Sequence, residues 1–68
     1  MNEIKFEVGR IYYSLVAREI WGCIKRTENT VTFLSETGAK HTLKTRFSRG
    51  GVEYACLGFI YLSAMIGK

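Results

Sequence analysis

Lys40, Lys44, Arg46 and Arg49 all fall in one stretch, Thr37 to Val52, that contains no acidic residue. Cations repeated along a chain do one kind of chemistry well. They neutralise phosphates and release the counterions that a polyanion condenses around itself. Lys25 and Arg26 are further candidates for the same surface if the chain folds back on itself as a sheet. Lys40, Thr42, Lys44 and Arg46 alternate with His41, Leu43, Thr45 and Phe47, so an extended strand would face the first set to water and the second to a core. Alternate residues of a strand lie about 6.5–7 Å apart, a spacing suited to the phosphates of one nucleic-acid strand. The plainer reading of the same residues is a solvated strand face whose lysines discourage edge-to-edge aggregation.

Other chemistries find less support. His41 is the single histidine, and its parity puts it beside Leu43 and Phe47 on the core side. A general base or metal ligand is not expected there. Cys23 and Cys56 lack the paired, short Cys or His spacing of a zinc site, and neither has a local partner that would make it a nucleophile. Their apolar neighbours predict two buried, unpaired thiols. The carboxylates Glu3, Glu7, Glu19, Glu28, Glu36 and Glu53 stand singly. No enzyme, metal or cofactor is expected. Tyr12, Tyr13, Trp21, Tyr54 and Tyr61 are available as base-stacking platforms, although in a small domain such residues mostly build the core.

The elements that must position these groups read as strands. Thr30 to Leu34 is β-branched and aromatic, Thr37-Gly38 turns, and Ala39 to Phe47 returns as the alternating strand. Upstream, Met1 to Glu7 alternates as a short edge strand or ordered arm. Arg10 to Ala17 reads as a strand, with a helix over Tyr12 to Ile20 as the alternative. Arg18-Glu19 would form a hairpin tip, and Ile20 to Ile24 would return with a bulge or close backbone approach at Gly22. Glu28-Asn29 turns into the central hairpin. Downstream, Gly50-Gly51 turns, Val52 to Leu57 forms a strand that Gly58 ends, and the uncharged tail Phe59 to Ile66 closes the core or presents a contact surface.

Composition bounds the rest. Sixty-eight residues make one domain, residues 1–68, which buries only about 60% of the surface of its unfolded chain. Oligomerisation is one of the usual remedies for so small a core, so a homo-oligomer is among the expectations. The net charge of +4 leans towards acidic partners. The tail falls short of the roughly 20 residues that span a bilayer, so no membrane association is expected. Asn2-Glu3-Ile4-Lys5 is charged with no apolar run behind it, so no signal peptide is expected and a cytoplasmic setting with reduced thiols is.

Several short motifs resemble a family of uncharacterised β-proteins encoded by bacterial phages and mobile elements. Phe6-Glu7-Val8-Gly9 with Tyr12-Tyr13 is similar to the family's opening. Lys25-Arg26-Thr27 followed by Thr30-Val31-Thr32 resembles its centre, and Gly51-Val52-Glu53-Tyr54 with Gly58, Tyr61, Ser63-Ala64 and Ile66 resembles its ending. The resemblance implies a phage or mobile-element setting and supplies no catalytic residue.

The expectation is therefore an all-β domain of about five antiparallel strands, curled into a small SH3-like or OB-like barrel. Its expected function is non-enzymatic binding of nucleic acid or another polyanion through Lys25, Arg26, Lys40, Lys44, Arg46 and Arg49. The alternative is a protein inhibitor of a host defence enzyme, with a nucleotide-signal sponge between the two.

Overall fold

The computed structural model describes residues 3–14, 18–58 and 60–65. Its strands are β1 (Ile11–Ser14), β2 (Glu19–Arg26), β3 (Thr30–Leu34), β4 (Lys40–Phe47), β5 (Glu53–Leu57) and β6 (Ile60–Ser63). They pair antiparallel in sequence order, each with the next, as one six-stranded sheet. The sheet curls until β6 packs against β1, giving a nearly closed barrel. The strand count exceeds the expected five because the tail forms β6. The strand reading of Tyr12 to Ser14 holds against the helical alternative. Leu15, Val16, Ala17, Phe59 and Ile66 lie outside the described residues.

Inward parity builds one core from Tyr12, Trp21, Cys23, Val31, Phe33, Leu43, Ala55 and Leu62. Its remaining large member, Phe6, comes from no strand. The N-terminal segment is the ordered arm of the two options. The Ile4 amide donates to the Gly51 carbonyl at 2.8 Å, and the Glu53 amide donates to the Ile4 carbonyl at 2.8 Å. So anchored, the arm drops Phe6 onto Tyr12 and Phe33, edge to face, with ring centroids 4.8 and 5.1 Å away.

Several expectations require correction. Gly22 carries no bulge, for it stays in register with Ile11 on one side and Leu34 on the other. The register shifts one step later, between Cys23 and Lys25. Glu19 belongs to β2 rather than to the hairpin tip, where Arg18 takes a left-handed φ of 55°. Phe47 was expected in the core yet is 40% exposed, although its cross-strand partner Glu53 is fully buried. Cys56 is exposed rather than buried; only Cys23 is in the core. Residue 56 has the opposite parity to the inward-facing Ala55, and the apolar character of its neighbours masked that.

Candidate nucleic-acid interface

Strand β4 keeps the alternation read from its residues. Leu43 is buried, whereas Lys40, Thr42, Lys44 and Arg46 are exposed on the outer face. Arg46 stands directly opposite Tyr54 on β5, and Tyr61 on β6 stands opposite Cys56. Lys44, Arg46, Tyr54, Ala55 and Cys56 line a shallow groove of about 420 Å³. On the other side of β4, Thr42 pairs with Thr32 of β3, and their hydroxyls lie 2.8 Å apart in a hydrogen bond. Thr32 in turn pairs with Lys25 of β2, so Lys25, Thr32 and Thr42 form a row across three strands. Arg49 is exposed in the turn beyond β4, where Gly51 takes a φ of 80°.

Five of the six candidate cations are therefore solvent-exposed, and Lys25, Lys40, Lys44 and Arg46 share the outer face. Among the described residues, none of the five is engaged in an ion pair. Arg26 does not join them. Simple alternation from Trp21 and Cys23 would send Lys25 inward and Arg26 outward. The bulge at Ile24 inserts one extra residue and reverses that assignment. Arg26 then pairs with Val31 and turns towards Glu53, which is fully buried.

The Arg26–Glu53 contact is a two-pronged fork. Arg26 Nη1 donates to Glu53 Oε1 at 2.8 Å, and Nη2 donates to Oε2 at 3.0 Å. The Phe6 amide also donates to Oε1 at 2.8 Å, while Arg26 Nη1 reaches the Phe6 carbonyl at 2.7 Å. One part-buried charge pair, with Glu53 sealed and the Arg26 side chain 23% exposed, thus fastens the arm, β2 and β5 together. Burial pushes the Glu53 carboxyl up, but hydrogen bonds from Arg26, Thr45 and the Phe6 amide, with the Arg26 charge, outweigh it. The net shift is below the ordinary carboxylate value. Tyr54, the next residue along, faces outward on the strand that this pair holds in place.

Of the aromatic candidates, Tyr12 and Trp21 belong to the core. Trp21 stacks on His41 with centroids 4.7 Å apart and planes 10° from parallel. Tyr54 and Tyr61 face outward beside the cations, with ring centroids 5.8 Å apart. Neither was distinguishable from a core aromatic by type, but each has the parity opposite to its buried neighbour, Ala55 or Leu62.

The two thiols should differ sharply in reactivity. Burial raises the Cys23 thiol above its usual pKa, the chief cause, and Cys23 is sealed in the core. Ellman's reagent should therefore titrate Cys56 rapidly in the native protein and Cys23 only after denaturation. Two fast thiols in the native state would contradict the packing of Cys23.

Among the described residues there is no group of three His, Cys, Asp or Glu side chains placed to hold a metal ion, and no helix long and apolar enough to cross a membrane. Comparison with protein-family models, curated proteins and solved structures gives no match.

Proposed function

We propose that the protein is a non-enzymatic binding module for nucleic acid or a related polyanion, using the outer face of β4 and its neighbours. The observation that carries this reading is the row Lys40, Lys44 and Arg46: exposed and free of ion pairs, with Lys44 and Arg46 lining the groove of Tyr54 and Cys56. A cation without a carboxylate partner gives up little on meeting a phosphate. Each contact also gains the entropy of a released counterion. Lys25 extends the surface across β3, and Arg49 extends it beyond the end of β4.

The test is fluorescence anisotropy with a labelled oligonucleotide across a salt series. The slope of log affinity against log salt is about −0.7 per phosphate for single strands, so replacing Lys40, Lys44 and Arg46 by Ala should flatten it by about two units. Binding should weaken alike for all sequences. Stability should move by no more than about 0.5 kcal/mol, since all three side chains are exposed. A parent protein that binds no oligonucleotide even at low salt would refute the reading.

A second reading is favoured by a different surface. Ile11, Gly22 and Leu34 form one cross-strand row on the outer face of β1–β3, and both flanking apolar side chains are exposed. No Cβ rises from Gly22 between them. Such a row suits a protein partner, consistent with an inhibitor from a phage or mobile element, and it would take the lead if oligonucleotide binding failed.

A further inference from the structure

We infer that the ligand is single-stranded nucleic acid, with an unpaired base stacked on Tyr61 and Tyr54 while Lys44 and Arg46 hold the adjoining phosphates. The inference rests on the polyanion-binding reading above and narrows it to one ligand class.

The argument begins with register. Tyr54 pairs with Ser63 and Tyr61 with Cys56, so the two tyrosines are diagonal neighbours on one face of the β5–β6 pair. Aromatic side chains are long enough to meet across such a diagonal. Their rings stand 5.8 Å apart with planes 31° from parallel, which makes one broad, slightly creased aromatic surface. Neither ring is drawn into the interior, where Ala55 and Leu62 fill the corresponding inward positions. Tyr61 keeps 43% of its surface exposed. With Tyr54 half-buried beside it, the exposed Tyr61 ring is aromatic area that the core leaves unused.

Next to this surface lie the cations. Arg46 is the cross-strand partner of Tyr54, and Lys44 lines the same groove from the next outward position of β4. A ligand of charge alone would use the cations and leave the rings idle. A duplex would present phosphates but keep its base faces stacked inside. An unpaired strand offers both, a chain of phosphates and a free π-face every nucleotide. The groove of about 420 Å³ beside Tyr54, which Tyr61 does not line, is near the lower end of the roughly 300–1,000 Å³ usual for ligand sites. Every base has a π-face, so the expected selectivity is for strandedness and against sequence.

The decisive comparison uses the full chain and four probes matched in total charge: a short oligodeoxythymidine, an abasic oligomer of the same length, a duplex of half that length, and a heparin fragment. The parent should bind oligodeoxythymidine about 5- to 150-fold more tightly than the abasic strand, the range expected for stacking of one base. The duplex should bind more weakly than the single strand. Tyr61→Leu should reduce the preference for bases several-fold with no change in salt slope, and Tyr61→Phe should keep it. Oligodeoxythymidine should also shield Cys56 from iodoacetamide, because that thiol lines the groove; the abasic strand should shield it less.

Equal binding of abasic strand, heparin and oligodeoxythymidine, unaffected at Tyr61, would overturn this inference while leaving the polyanion reading standing. Preferential binding of the duplex would overturn it equally. Failure of all four probes at low salt would remove the polyanion reading beneath it.

Discussion

Glu53→Gln is expected to cost up to about 3–5 kcal/mol, the usual penalty for breaking a buried charge pair, reduced here because the Arg26 side chain is 23% exposed and can reach water. Domains hold roughly 0.05–0.15 kcal/mol per residue, so a chain of this length has only about 3–10 kcal/mol in all. The variant should therefore sit near the edge of folding. The fork explains the size of the effect. Without the carboxylate, Arg26 keeps a charge among Val31 and the arm with no counter-charge, and the Phe6 amide faces a weaker acceptor. Urea denaturation followed by Trp21 fluorescence measures the loss. A variant within about 1 kcal/mol of the parent would mean that the pair is incidental to the fold.

The same pair sets an acid limit. The carboxyl of Glu53 in the folded protein titrates below its unfolded value. A depressed carboxyl contributes its full stabilisation above the unfolded pKa, about 4.3 for Glu, and loses it as pH falls through the folded value. Between pH 6 and 8 this group should give no pH dependence. Below about pH 4 the parent should destabilise, and the gap between parent and Glu53→Gln should close.

Phe6→Ala should be as damaging, although Phe6 lies outside every strand. Its ring is buried against Tyr12 and Phe33, and it is one of the largest side chains in the core. Phe-to-Ala changes in cores cost about 3–5 kcal/mol through lost transfer energy and the cavity left behind. For a domain of this size each kcal/mol moves the midpoint by roughly 4–8 °C, so Tm should fall by about 12 °C or more. Phe6→Leu should retain most of the stability by filling much of the space. If Phe6→Ala melted within a few degrees of the parent, the arm would be a surface strap and not part of the core.

The candidate site was legible where the pattern is local. Lys40, Lys44 and Arg46 alternate with Leu43 over a few residues, and a strand's two-residue period sorts them without any knowledge of neighbours. Tyr54 and Tyr61 were visible as aromatics but not as an outward pair, because that depends on β5 and β6 meeting in one particular register. Arg26 was assigned to the cationic face on type alone. Its partner Glu53 lies 27 residues away, and nothing near either residue announces the other.

By itself, the sequence determined the all-β class, the central hairpin and the two-sidedness of β4, all of which follow from side-chain periodicity and turn residues. The tertiary structure decided which of Lys25 and Arg26 faces outward. That choice turns on a single inserted residue at Ile24, and a bulge is settled only when β2 pairs with β3 while Glu53 waits in the interior for a guanidinium. It also decided that the arm completes the core and that the tail splits, Leu62 inward and Tyr61 outward. Parity along a strand is a local property, but its phase relative to the core is fixed by pairing across the sheet, where a one-residue shift exchanges the two faces.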